Sequence, residues 1–329
     1  MSFRNEVKDI LLHTPAAIND DFWLEVFLYQ YNSCDIYRTY ADFIHKTPSN
    51  VRSVIEIPYL PVSFYKQFEV LGKGLTSQIQ FHSSGTTGSQ RSVHHVADKE
   101  WYRVRARQLL ELSYGKLEDW VILAVLPSYR ENPNSSLLFM LDDFMTATGH
   151  ALSGYYPADM VQVTEVMNLM EPNKKVLLWG VTYALLDAAE SGWKLPKSNQ
   201  VTVMETGGMK GRRKELTREE VHGVLTGAWG VSGVHSEYGM TEMLSQLYSK
   251  GEGLFTPAPG VSLVLRDLQD PFTMVEKGNG GVNVMDAANI DACSFIELQD
   301  IGKAVAGGWE ILGRIDQSDT RGCNLLYTG

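Results

Sequence analysis

Ser83-Ser84-Gly85-Thr86-Thr87-Gly88 is an unbroken run of hydroxylated residues and glycines. A turn of this kind is dense in backbone N–H and side-chain O–H donors. Its glycines allow the main chain to approach a ligand closely, so the run can wrap phosphate oxygens. Arg91, just beyond it, adds a guanidinium suited to phosphate. No Gly-Lys-Ser/Thr closes the run, which excludes a Walker A loop, and it is not the GxGxxG dinucleotide fingerprint. The same composition also suits a mobile surface loop. His82, His94 and His95 flank the run, and His235 stands further along. Any of them has the chemistry of a general base, but side chains of this kind are more often satisfied packing groups, and their spacing gives no metal-ligand pattern.

The exact string, together with three later motifs in order, resembles the adenylate-forming superfamily of acyl ligases. Ser83 to Gly88 matches its phosphate loop. Tyr238-Gly239-Met240-Thr241-Glu242 matches a second motif, Asp300-Ile301-Gly302 a third more weakly, and Gly313-Arg314-Ile315-Asp316 a fourth. The segment Leu60-Pro61-Val62-Ser63-Phe64-Tyr65-Lys66 and the short C-terminus look most like the LuxE-type acyl-protein synthetases, with phenylacetate–CoA ligases as relatives. The resemblance implies ATP-dependent activation of a carboxylic acid, fatty or aryl, as an acyl-adenylate, followed by transfer to a thiol. The alternatives are an acyl-CoA ligase completed by a partner subunit and a non-catalytic nucleotide-binding relative.

By that resemblance Ser83, Ser84, Gly85, Thr86, Thr87 and Gly88 hold the β- and γ-phosphates of ATP, with the Arg91 guanidinium able to add a phosphate contact by its charge, and Thr241 contacts the α-phosphate. Glu242 binds Mg²⁺, a hard cation suited to one carboxylate plus substrate phosphates. Gly207, Gly208, Tyr238 and Gly239 lie against adenine, Asp300 accepts from the ribose hydroxyls, and Arg314 sits nearby. Singly, Glu242 also reads as an exposed acid at a helix start, and Asp300 as a turn residue. In full-length relatives the Gly-Arg-x-Asp motif leads into a mobile C-terminal domain carrying a catalytic lysine. Here the sequence ends soon after Asp316, and its last lysine is Lys303. The expected fold is therefore α/β, the large N-terminal domain of the adenylate-forming fold with a smaller β-rich subdomain, lacking the mobile domain. Cys323 is the candidate acyl carrier, since LuxE-type proteins are similar in using a C-terminal cysteine. A thiolate is a strong nucleophile, and Arg321 beside it favours ionisation. A half-buried structural cysteine is the plainer reading. The acceptor is its own cysteine, a carrier protein or CoA.

The elements that must position these groups follow from periodicity. Residues 1–75 read as a helical segment, with Phe22, Val26, Tyr29, Ile36, Tyr40 and Phe43 at three- and four-residue steps and Asp20-Asp21 as an N-cap. Residues 76–256 read as the α/β nucleotide-binding core. Trp120–Leu126 and Val176–Trp179 are buried strands, and Val201–Met204 is a third strand; helices over 136–148, 183–191 and 217–228 are interleaved with them. Residues 257–329 read as the β-rich subdomain and tail. Tyr59, Phe64, Tyr65, Trp179 and Tyr183 suit either an apolar acyl pocket or the core.

Composition bounds the rest. Of 329 residues, 44% are apolar, and 29 basic against 39 acidic residues give a net charge of −10. That balance speaks against nucleic acid as a partner, including at Lys210-Gly211-Arg212-Arg213-Lys214. Three cysteines without CxxC spacing exclude a disulfide framework. With no signal-type apolar stretch and no eighteen-residue apolar run, the expected location is cytoplasmic, without a membrane span.

Overall fold

A computed structural model describes residues 2–83, 90–127, 133–171, 174–196, 200–207 and 216–315. The N-terminal segment forms α1 (Phe3–His13), α2 (Asp20–Ser33) and α3 (Asp35–Phe43). The cap of α2 is Asn19, whose Oδ1 accepts from the Phe22 amide at 2.9 Å. Asp20 and Asp21 lie in the first turn instead, where carboxylates favour the positive end of the helix. Cys34 sits at the α2–α3 junction, and with Tyr37 and Ala41 it forms the buried stripe. Phe43, expected to share an apolar face, is 82% exposed because the stripe falls one step to its side.

The proline-rich segment contributes only β1 (Leu60–Pro61), which pairs in parallel with a later strand at Leu60↔Ile296, and the short α4 (Phe64–Gln67). A separate antiparallel ribbon comes next, β2 (Ile79–His82) and β3 (Val93–Val96), with Phe81 opposite His94. The hydroxyl-rich run connects its strands.

Beyond the ribbon are α5 (Lys99–Tyr114), β4 (Trp120–Val125), α6 (Ser136–Thr148), β5 (Gly154–Tyr155), α7 (Val161–Leu169), β6 (Lys175–Gly180), α8 (Thr182–Glu190), β7 (Gln200–Glu205), α9 (Arg218–Trp229) and β8 (His235–Tyr238). The five strands of this stretch run parallel, in spatial order β5-β4-β6-β7-β8. β4 is buried along its whole length, as its unbroken apolar run requires of a strand covered on both faces.

The chain then turns antiparallel: β9 (Leu247–Ser249), β10 (Leu254–Phe255), β11 (Val261–Arg266), β12 (Met274–Val275), β13 (Asn279–Asp286), β14 (Phe295–Val305) and β15 (Gly308–Arg314). These strands continue the same sheet, in the order β8-β9-β10-β15-β14-β13-β11-β12, so that thirteen described strands, β1 included, form one surface. The parallel half ends at β8.

Candidate functional site

The chain leaves β8 through Tyr238-Gly239-Met240-Thr241-Glu242, and groups distant in sequence fix that segment. Asp286, fully buried at the end of β13, accepts from the amides of Leu244 (2.8 Å) and Ser245 (2.9 Å) and from the Ser245 hydroxyl (2.8 Å). Arg105 on α5 reaches Ser245 Oγ at 3.2 Å. Asn289 donates from Nδ2 to the carbonyls of Glu242 and Cys293, both at 2.9 Å. His94 on β3 places Nδ1 2.8 Å from the Thr241 carbonyl and Nε2 3.0 Å from Asn289 Oδ1. The ribbon bearing the hydroxyl-rich run is thereby tied to the Thr241-Glu242 turn. Burial pulls the His94 pKa down to about 4, against the pull of Thr241 and Asn289, so the ring is neutral near pH 7.

Glu242 is buried, not exposed, and its Oε2 has no hydrogen-bond partner among the described residues. Burial raises its pKa, opposed by the Ser92 hydroxyl and by the charge of Arg314. Ser92 in turn pairs with Ser83: the Ser83 hydroxyl accepts from the Ser92 amide at 3.0 Å, and the Ser83 amide donates to the Ser92 carbonyl at 3.1 Å. An acid with an unpaired buried oxygen fits a cation. Among the described residues no three His, Cys, Asp or Glu side chains cluster as a metal cage. A lone carboxylate suits Mg²⁺, which keeps waters and substrate phosphates as its other ligands.

On the other side of β8, the Tyr238 hydroxyl donates to Asp300 Oδ2 at 2.7 Å, and Arg314 Nε lies 3.7 Å from Asp300 Oδ1. Asp300 lies within β14, not in a turn, and is buried. Burial raises its pKa, while Tyr238 and Arg314 oppose the rise. Arg314 is 71% exposed, so its ion pair contributes little to stability.

β7 ends in Glu205, whose Oε2 accepts from Thr182 Oγ1 (2.7 Å) and the Gly207 amide (2.8 Å), with Arg218 Nε 3.4 Å from Oε1. Burial alone would raise this carboxyl, but His222, Arg218, Ser236 and Thr182 outweigh it and bring it to about 2. The bonds brace Gly207, which adopts φ +69°, a conformation natural to glycine. Gly239 is required for space: a Cβ there would lie 2.8 Å from Glu237 Oε1.

The structure thus gathers Ser83, Thr241 and Glu242 on one side and Tyr238, Asp300 and Arg314 on the other, with Gly239 between and Gly207 at the end of the adjacent strand. Arg91 is exposed. Ser84, Gly85, Thr86, Thr87, Gly88, Gly208, Cys323 and the basic stretch 210–214 lie outside the described residues. Of the four histidines, His94 is the one that meets the Thr241 carbonyl; His235 instead lies 3.0 Å from the Tyr114 hydroxyl. Tyr59, Tyr65, Trp179 and Tyr183 are buried, and Phe64 is half-buried. Asp286, Asn289 and Glu237 belong to no motif that sequence reasoning singles out. The signal for the first two is their place among the apolar residues of Val282 to Ala292, which hold two acids and two amides that must find partners when buried.

Comparison with solved structures places this geometry in a known fold. The chain is similar to an open conformation of 2-hydroxyisobutyryl-CoA ligase in complex with 2-HIB-AMP and CoA, at 14% identity, covering 92% of this chain and 71% of that one with a TM-score of 0.62. It is similar to ATP-bound MatB from Rhodopseudomonas palustris, at 18% identity over 71% of this chain, with a TM-score of 0.51. A long-chain-fatty-acid-CoA ligase from Archaeoglobus fulgidus matches at 14% identity over 72% of this chain and 51% of its own, with a TM-score of 0.50. The chain spans about half the length of MatB, 47%. No protein-family model and no curated sequence matches it. The fold is that of the N-terminal domain of the adenylate-forming ligases. Among the described residues, no helix is long and apolar enough to cross a membrane.

Proposed function

We propose that the chain activates a carboxylic acid with ATP, the acid's carboxylate oxygen displacing pyrophosphate from the α-phosphorus to leave an acyl-adenylate. The observation that carries this is Glu242: a buried carboxylate with an unpaired oxygen, pinned through Thr241 and Asn289 to the ribbon bearing the hydroxyl-rich run, in a chain with the fold of acyl-CoA ligases. Mg²⁺ held by Glu242 would neutralise phosphate charge. The chain's own part is positioning, which supplies much of the acceleration in phosphoryl chemistry. Asp300, oriented by Tyr238, holds the ribose hydroxyls. Gly207 and Gly239 let the backbone approach adenine. Thr241 meets the α-phosphate, and the run from Ser83 to Gly88 meets the outer phosphates.

Transfer to a thiol completes the proposal. The sequence resemblance favours Cys323 as acyl carrier, whereas the solved neighbours are CoA ligases by description and favour CoA as acceptor. A partner subunit supplying a lysine fits either route. The test is product analysis with ATP, Mg²⁺ and a panel of acids. AMP and pyrophosphate released only with acid present support adenylation, and ADP with phosphate contradicts it. An acyl adduct that persists after Cys323→Ala excludes that residue as carrier.

A further inference from the structure

Glu237 has no part in the nucleotide site, yet it is buried on β8 beside it. Strand alternation turns it to the face opposite Tyr238. Its Oε2 accepts from the Thr206 hydroxyl at the end of β7, while Oε1 packs against Gly239, where a Cβ would lie only 2.8 Å away. Tyr248 on β9 stands directly opposite Glu237 in the antiparallel register, so the two side chains share a face. Gln246, two residues before Tyr248, packs against the same glycine, with its Cγ 3.4 Å from where a Cβ would lie. The Tyr248 ring meets Trp179, at the end of β6, edge-on at 6.4 Å.

Three buried polar atoms in this cluster have no hydrogen-bond partner among the described residues: the Tyr248 hydroxyl, Gln246 Oε1 and Trp179 Nε1. Each side chain is more than nine-tenths buried. Buried polar groups in folded proteins are almost always paired, and a trapped water can satisfy a single orphan. Three orphans together with a carboxyl group, gathered at the carboxyl ends of β6 and β8 and the start of β9, point instead to a ligand with polar groups of its own. Burial holds the Glu237 carboxyl up near a pKa of about 7, so it can donate to a hydroxyl or ionise against an ammonium.

Resting on the adenylation reading, we propose that the substrate is a short carboxylic acid bearing a hydroxyl or ammonium group, recognised by Glu237, Tyr248, Gln246 and Trp179, rather than a fatty or plain aryl acid. An alkyl chain would leave these groups unpaired. A site built to hydrogen-bond its substrate strongly rejects the analogue that lacks the bond.

The test is acid-dependent ATP–pyrophosphate exchange with butanoic, 2-, 3- and 4-hydroxybutanoic, 4-aminobutanoic and octanoic acids. At least one polar acid is expected to exceed butanoate in kcat/KM by about tenfold or more, with octanoate weaker still. Glu237→Leu and, separately, Tyr248→Phe should shrink that ratio; the second removes only an unpaired hydroxyl and should leave the melting temperature no lower than before. Exchange supported by butanoate or octanoate as well as by the polar acids overturns this inference while leaving adenylation standing, as does a ratio unmoved in both variants. Absence of exchange with every acid overturns the adenylation reading and this inference with it.

Discussion

His94 and Thr241 are 147 residues apart in the chain, yet the imidazole Nδ1 lies 2.8 Å from the Thr241 carbonyl oxygen. The other ring nitrogen faces an amide oxygen of Asn289, whose own NH₂ is committed to two carbonyls. A neutral ring carries one N–H, so it can donate to only one of these two acceptors at a time. Truncation to alanine leaves a cavity and takes the donor from whichever of the two acceptors the ring N–H serves. His94→Ala is expected to lower unfolding stability by about 2–4 kcal/mol in urea titration and to impair adenylation.

Asp286 receives three bonds from residues 244–245, so its neutral amide analogue must turn an NH₂ toward at least one of those donors. Asp286→Asn should therefore destabilise by about 1–3 kcal/mol. Adenylation should fall further than this stability loss alone implies, because Thr241 and Glu242 lose their support. Full activity at an unchanged urea midpoint would remove Asp286 from the account.

Tyr238→Phe deletes the hydroxyl that donates to Asp300. Without it, burial raises the Asp300 carboxyl still further, and the proposed ribose contact should weaken. The KM for ATP should rise roughly 5- to 30-fold, about 1–2 kcal/mol, with the KM for the acid unchanged.

Glu237 and Glu205 give opposite pH signatures. Glu237 is raised from its ordinary 4.5 to about 7, so its stabilising contribution is complete below pH 4.5 and is lost as pH rises through 7. Glu205 is lowered to about 2, so its contribution is complete above pH 4.5 and is lost as pH falls toward 2. Relative to wild type, Glu237→Gln should gain on the order of 1–3 kcal/mol between pH 5 and 8. Parallel stability curves across that window would contradict the assignment.

Much of the frame was legible because it is local. β4 and β6 are continuous apolar runs, and α6 carries its own capping serine, with Ser135 Oγ accepting from the Leu138 amide. The ribbon of β2 and β3 was not legible: Ile79–His82 and Val93–Val96 are short and half polar, and each becomes a strand only by pairing with the other. Likewise the strands after Pro257 could be read as strands, but not as a continuation of the parallel sheet, since β10 joins β15 across a long stretch of intervening chain. At the site, Tyr238, Thr241, Glu242 and Asp300 could be picked out by their motifs. Glu237 could not, because its burial depends on Tyr248 across the β8–β9 pair.

The central claim is that Glu242 carries the charge chemistry of an adenylating site. Acid-dependent ATP–pyrophosphate exchange in Glu242→Gln against wild type tests it most directly. Exchange should fall by about 100-fold or more, with a melting temperature equal to or above that of wild type, because a buried, unpaired carboxylate has been replaced by a neutral group. Exchange at the wild-type rate in Glu242→Gln would contradict the claim.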